Sequence, residues 1–358
     1  MLDHIQALRQ RTLNALRRDV YYVTDRGGWS FYWDAHYITD GLRDGYGLHA
    51  HIVHDAWRLR HQIIQFGDRY AYLNGPFTRL HASNEVFLTW FHGDRDDPNP
   101  DIQILFERLP QALPHLRGIV VPCRISYEVL RDFGVDEAKL TTIPLGVDLQ
   151  RFTRPSDEAR QAARQRLDIP EAAFCIGSFQ KDGRGWDGDG LEPKPVKGPD
   201  VLLEVIAGLA EHHDNLLVLL SGPARGYVKR GLEKIGVSYV HRFLDEYREI
   251  VHLYHALDAY LITSRAEGGP KGLMESWATG VPVVSTRMGM PADWIRDGEN
   301  GLLAANEDVA GLVEGMRRLI NDTGLRARIH EQAASDVQAL NWKAVAGQYY
   351  ALYAPLLR

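Results

Sequence analysis

Short apolar runs rich in β-branched and aromatic residues alternate with helix-length segments along this chain, and the alternation occurs twice. The first series is VYYVT (20–24), QIIQF (62–66), EVFLTWF (85–91), GIVVPC (118–123) and KLTTIP (139–144). A polar stretch follows, RPSDEARQAARQR (154–166), and then a second series: FCIGSF (174–179), LLVLLSG (216–222), SYVHRF (238–243), AYLITS (259–264) and PVVST (282–286). Strands separated by helix-length segments imply parallel sheets covered on both faces. The expected fold is therefore α/β, with two doubly wound domains. Residues 1–152 make the first and 153–337 the second, and the closing helix 338–358 packs back onto the first. In open sheets of this kind ligands sit beyond the carboxyl ends of the strands, so two such domains facing each other make a central cleft.

Composition narrows the classes of function. The chain has 358 residues, enough for two domains, with 45% hydrophobic and 25% charged residues, as expected of a soluble globular protein. Its net charge of -6 argues against nucleic acid as a partner, since non-specific binding to phosphates needs a basic surface. Cys123 and Cys175 lie far apart and fit free thiols in a reducing compartment. MLDHIQALRQRTLNALRRD at the N-terminus has no uninterrupted apolar core like that of a signal peptide, and LLVLL (216–220) is far too short to span a bilayer. A cytoplasmic protein is expected.

The stretch SRAEGGPKGLMESWATGVPVVST (264–286) carries the most chemistry. AYLITS reads as a buried strand. KGLMESWAT reads as a short helix, opened near Pro270 and closed by Gly280. Gly268, Gly269 and Gly272 let backbone approach a ligand, and the first-turn N–H groups with the helix dipole suit an anion, to which Lys271 adds a cation. A diphosphate fits this turn. Glu267 and Glu275 would repel it, so they serve something else. A carboxylate accepts two hydrogen bonds side by side, which matches a vicinal diol. A sugar nucleotide carries its diphosphate between a ribose diol and a hexose. The competing explanation is an ordinary strand–loop–helix with a solvated Glu267 and a capping-type Glu275, because short motifs match by chance.

Glu267 and Glu275, GVPVV (280–284) and RDGENGLL (296–303) together resemble the signature of the retaining glycosyltransferases of family 4, the glycosyl transferases group 1. IPLGVDLQRF (143–152), KGPDVLLEV (197–205) and NWKAVAGQYYALY (341–353) are similar to further family segments and occur in the same order. The resemblance covers most of the chain from Leu116 onward and is looser before it. It implies the GT-B fold: two Rossmann-like domains facing a central cleft. It also implies a nucleotide-diphosphate sugar as donor, of the UDP or GDP type, with no cofactor and no metal in the chemistry. By the same resemblance Glu267 lies beside the donor sugar, Glu275 holds the ribose diol, the amides of Gly272 and Leu273 hold the diphosphate, and Lys197 pairs with the phosphates. Asp200 caps or orients the helix that follows. The family commonly has an arginine directly after Gly177, where this chain has Ser178. Lys181 either supplies the missing cation or is a solvated loop charge. The Gly- and Pro-rich insertion KDGRGWDGDGLEPKPVKG (181–198) reads as a long loop with Trp186 in a lid or in simple loop packing.

The N-terminal half offers weaker signals. Gly27 and Gly28, after the first strand, resemble the family's glycine loop near the diphosphate, with Arg26 and Trp29 toward the acceptor; a tight turn into a helix explains the pair equally. His92 ends a hydrophobic strand, where the family places a histidine beside the donor sugar; a satisfied structural histidine is the alternative. Gly222 and the segment Arg242–Leu244 are the expected neighbours of the nucleobase. His49, His51 and His54 lack a Cys or carboxylate at ligand spacing and are assigned surface or packing roles. DGD (187–189) and DRDD (94–97) look like metal-binding acids of the other glycosyltransferase fold, which two Rossmann-like halves disfavour. Helix 3–18 either packs on its own domain or lies on an anionic membrane, where a lipid-linked acceptor would wait.

The expected reaction is transfer of a sugar to a hydroxyl of a glycan or lipid-linked acceptor with retention of configuration. Two alternatives stand: another GT-B enzyme, a phosphorylase or a sugar-nucleotide epimerase, and a non-catalytic nucleotide-sugar-binding or scaffold subunit.

Overall fold

The structure is a computed structural model that describes residues 17–26, 30–97, 99–185 and 189–357. Its contacts fall into two compact units: one runs to Gly146 and resumes at Trp342, and the other is Val147–Asn341.

In the first unit β1 (Val20–Val23), β2 (Ala50–Val53), β3 (Ile63–Phe66), β4 (Glu85–Thr89), β5 (Gly118–Val121) and β6 (Leu140–Thr142) form one parallel sheet in the order β2-β1-β3-β4-β5-β6. Successive side chains of a strand point to opposite faces, and here both faces are apolar. Val86 and Leu88 of β4 enter one core with Ile64, Phe66, Ile119 and Val121, while Phe87 enters a second with Ile63 and Val120. Two helices, Ser30–Tyr46 and Trp342–Tyr353, cover the second core. They approach closely at Gly41, where a Cβ would lie 2.4 Å from that of Ala346. Tyr353 Oη donates to Gln65 Oε1 at 2.8 Å, and Gln65 Nε2 donates to Thr89 Oγ1 at 2.9 Å, so the last helix is tied into the sheet through buried polar groups.

The second unit repeats the architecture with β7 (Phe174–Phe179), β8 (Leu216–Ser221), β9 (Ser238–Arg242), β10 (Ala259–Ile262), β11 (Val283–Thr286) and β12 (Leu302–Ala304), again all parallel, in the order β12-β11-β10-β7-β8-β9. The anticipated strands are present. β2 and β12 were not anticipated as strands. Both lie at sheet edges, paired on one side only, and neither AHIV nor LLA has the long apolar run of a central strand.

Candidate active site

The order of the second sheet locates a site before any side chain is considered. β7, the first strand of the unit, lies between β8 and β10. The chain builds outward from β7 on one side and, after β9, crosses back to build outward from β10 on the other. At such a reversal the flanking connections diverge and leave a crevice at the carboxyl ends. Gln180–Lys181 leave β7 there, and Thr263–Glu267 leave β10.

These segments converge on Glu267. Lys197 Nζ lies 2.6 Å from Glu267 Oε2, with 21% and 13% of the two side chains exposed. Ser264 Oγ donates to Glu267 Oε1 at 2.5 Å and lies 3.4 Å from Gln180 Oε1, and Gln180 Nε2 donates to the Lys197 carbonyl at 3.2 Å. A pair this shielded is screened less by water than a surface salt bridge. Gly198 makes it possible. With φ at +59°, a Cβ there would stand 1.9 Å from the Thr263 carbonyl oxygen, and Thr263 Oγ1 donates to the Gly198 carbonyl at 2.8 Å. Only glycine lets the turn bearing Lys197 lie against the end of β10.

Asp200 lies in the first turn of its helix, Pro199–Ala210. Its carboxylate accepts from Arg265 Nη1 at 2.8 Å and Nη2 at 2.7 Å, and these bonds, with backbone hydrogen bonds from the first turn, hold its pKa below the ordinary value. Arg265 also donates to the Pro195 carbonyl at 2.7 Å, so Asp200 ties the start of this helix to the exit of β10.

The helix after the glycines spans Lys271–Thr279, with Pro270 before it and Gly280, φ +79°, ending it. A Cβ on Gly272 would lie 2.5 Å from the Tyr260 ring, so the packing of helix on strand requires this glycine whatever binds at the turn. The Leu273 amide donates to the Pro270 carbonyl at 3.1 Å, and its side chain is buried in the core. The Lys271 ammonium lies 5.9 Å from the centre of the Tyr247 ring. Gly289 backs the turn: at φ +50°, a Cβ would meet the Glu267 carbonyl at 2.2 Å.

Glu275 is 3% exposed. Tyr254 Oη donates to its Oε2 at 2.8 Å, and Tyr247 Oη donates to its Oε1. Burial and the Glu275 charge push the Tyr254 hydroxyl far above its usual pKa, so it remains a donor. Neither tyrosine was singled out from the sequence. The available signal was their spacing of seven in YREIVHLY, which puts both on one side of consecutive helical turns.

The insertion after β7 is a tied-down hairpin for most of its length. Gly183 bridges Pro193 in antiparallel fashion, the Lys194 amide donates to the Asp182 carbonyl at 2.7 Å, and a 3₁₀ turn, Pro195–Lys197, closes it. Its base rests on a fully buried ion pair. Arg225 Nε lies 2.9 Å from Asp182 Oδ1, although the N–H is not aimed at that oxygen. The same guanidinium donates to the carbonyls of Ser178 at 2.6 Å and Ser221 at 2.8 Å. Position 178, where an arginine was expected, is thus met by an arginine arriving from elsewhere in the chain, but one consumed by internal bonds. Lys181 is half-buried and its pKa is lowered by that burial. Gly222, φ +96°, packs on the Gln180 carbonyl, which a Cβ would meet at 2.7 Å.

The remaining assignments belong to other parts of the chain. His92 follows β4 in the first unit and is partly buried. Gly28, with Gly27 and Trp29, lies outside the described residues, as do Trp186 and nearly all of helix 3–18. His49 and His51 flank Asp19 at 3.4 and 3.8 Å, whereas His54 Nδ1 bonds the Thr24 carbonyl at 3.0 Å, so the three do not converge. Both cysteines are buried and free, and burial pushes the Cys175 thiol up to about 12. Among the described residues no helix is long and apolar enough to cross a membrane.

Two parallel six-stranded sheets with covering helices, one bearing an acid–base cluster at its switch point, define the GT-B class of glycosyltransferase fold. Residues 192–336 match the family model described as Glycosyl transferases group 1. Among curated proteins it is similar to D-inositol 3-phosphate glycosyltransferases: 28% identical over 240 residues to that of Corynebacterium urealyticum, covering 64% of this chain and 54% of the relative. To that of Streptomyces bingchenggensis it is 30% identical over 247 residues, covering 64% and 51%. The chain thus spans a little over half the length of these relatives. Among solved structures it superposes on Anabaena HepE in complex with UDP-glucose, with a TM-score of 0.75 at 18% identity, covering 94% of this chain and 99% of that one. Sucrose-phosphate synthase of Thermosynechococcus elongatus gives 0.76 at 16% identity, covering 95% and 99%.

Proposed function

We propose that this protein is a retaining glycosyltransferase that moves a sugar from a nucleoside-diphosphate sugar, of the UDP or GDP type, to a hydroxyl of a glycan or lipid-linked acceptor without a metal ion. The Lys197–Glu267 pair carries the proposal. It brings a cation and a carboxylate from distant parts of the sequence to the switch point, beside the first turn of helix Lys271–Thr279. The HepE structure named for UDP-glucose and the relatives' glycosyltransferase names support it.

In this mechanism the bond from the anomeric carbon to the β-phosphate oxygen breaks, and the diphosphate leaves with the electron pair. The acceptor oxygen attacks the same face, and its proton passes to the departing phosphate oxygen. The chain's task is to stabilise charge developing on the diphosphate and to hold the reactants in place. Lys197 supplies that charge, with Lys181 close by in sequence to the same strand end. Glu267 accepts from Ser264 and pairs with Lys197, so it is a poor nucleophile and acts by position and field. Glu275 takes the ribose diol when the Tyr247 hydroxyl yields its place.

The test is a thermal-shift scan against UDP, GDP, ADP, TDP and CDP on the wild type and Glu275→Ala. A ligand at about 100 times its dissociation constant adds roughly 2.7 kcal/mol, a shift of several degrees. A shift with one nucleotide, lost in the mutant, is expected, as is transfer from the matching sugar nucleotide that survives EDTA. Tight binding with no transfer to any of a broad set of acceptors would favour a binding subunit instead.

A further inference from the structure

We propose that Lys194 is a third phosphate-binding cation of the donor site, presented by the hairpin that the insertion builds. This rests on the donor reading above and extends it to a residue outside the motif.

Lys194 sits at the end of the returning hairpin strand, opposite Asp182, whose carbonyl takes its amide proton at 2.7 Å. It is also the residue before the 3₁₀ turn Pro195–Lys197, and the Lys197 amide donates to its carbonyl at 2.9 Å. Lys194 is the extended cap residue of that turn, three residues before Lys197, and its charge is felt by Lys197. Lys197 contacts Glu267 at 2.6 Å. Lys181 precedes Asp182 on the outgoing strand, across the hairpin. Lys197 thus contacts the carboxylate, Lys194 lies within reach of its charge, and Lys181 faces Lys194 across the hairpin.

Lys194 is partly buried, and no carboxylate among the described residues lies within ion-pair distance of it. The groups that bear on its charge are Lys197, Lys181 and Arg184, which repel it, and Glu267, which attracts it; burial is the larger cause of its lowered pKa. A half-buried cation facing mainly other cations destabilises the ligand-free fold. Such an arrangement persists where a bound anion resolves it. Arg225 cannot serve here, because its guanidinium is buried and already shared among Asp182, Ser178 and Ser221. A diphosphate, with two or more negative charges, matches the cluster in charge.

Lys194→Met is compared with the wild type for binding of UDP, or whichever nucleoside diphosphate the scan selects, together with the nucleoside and inorganic pyrophosphate. The expected result is a loss of at least tenfold in affinity for the diphosphate and for pyrophosphate, unchanged nucleoside affinity, and a melting temperature of the ligand-free protein that is equal or higher. Lys194→Arg restores binding. Unchanged diphosphate affinity in Lys194→Met, or an equal loss for the nucleoside, overturns the proposal. If Lys194→Met does not fold, Lys194→Gln takes its place, and a lowered melting temperature with intact affinity assigns Lys194 to the fold. A wild type that binds no nucleoside diphosphate removes the donor reading itself, a result distinct from a wild type that binds and a variant that binds equally.

Discussion

At the carboxyl edge of the second sheet, Gln180–Lys181 and Ser264–Glu267 gather charge that is paired and only partly exposed. The corresponding edge of the first sheet, after β1 and β3, holds its charge differently. Arg69 there is 2% exposed, lies 5.1 Å from the ring centres of Tyr70 and Trp90, and has no carboxylate among the described residues within ion-pair distance. The two sheets are built alike, yet one presents ions and the other encloses a cation among aromatic rings. Burial alone is thus a poor guide to what an ion does; the partner decides. Arg225 and Arg69 are equally buried, but removing the first strands the fully buried Asp182, whereas removing the second frees only the partly exposed Tyr70.

That contrast can be broken by measurement, and the largest effect is expected at Arg225. Arg225→Met leaves a fully buried aspartate without its partner and should destabilise by about 3–5 kcal/mol; a loss below about 1 kcal/mol in denaturant unfolding would mean that Asp182 takes up a proton at no cost. Next comes Lys197→Ala. It should weaken nucleoside-diphosphate binding roughly 10- to 100-fold, the scale of a charge-assisted hydrogen bond, with nucleoside binding unchanged in titration calorimetry. Equal losses for both ligands would remove the phosphate contact.

A smaller effect is expected from acid. His241, His255 and His330, all in the second unit, have pKa values lowered by burial. A histidine with a depressed folded value binds fewer protons folded than unfolded, so its contribution is present above the unfolded value of about 6.5 and fades as pH falls through it. The second unit should therefore lose on the order of 1 kcal/mol between pH 7 and 5.5, and a flat stability profile across that range would contradict the role of burial. The smallest effect is expected at Arg69→Met, within about 1 kcal/mol of wild type, since the cation it removes bonds the partly exposed Tyr70 rather than a buried carboxylate. A loss above about 2 kcal/mol would show that the aromatic rings hold that charge more strongly than cation–π contacts usually do.

Much of this molecule was legible beforehand. Central strands such as FCIGSF and LLVLLSG declare themselves because they are apolar on both faces, and the helix closed by Gly280 is marked by its glycine. The glutamates and Lys197 were legible as a motif, but their partners were not. Tyr247, Tyr254 and Arg225 look like ordinary residues in helical stretches, and only the folded chain brings them to Glu275 and Asp182. Gly272 shows the converse: a glycine in a suggestive turn proves to be required by Tyr260 beneath it. Asp200, a helix-start carboxylate in sequence, is claimed by Arg265 from far along the chain.

The helix Trp342–Tyr353 shares a core with β1, β3, β4 and β5, although every residue of the second unit precedes it in the chain. During synthesis the first sheet emerges with one face bare: Ile63, Phe87 and Val120 have their helix Ser30–Tyr46 but not the second cover. At about 5–20 residues per second, the ribosome needs on the order of ten to forty seconds to finish the intervening unit. Throughout that interval the nascent chain exposes a sticky surface that only its own tail can close. The face closes only once helix Trp342–Tyr353 has been made, so its docking follows synthesis of the second unit.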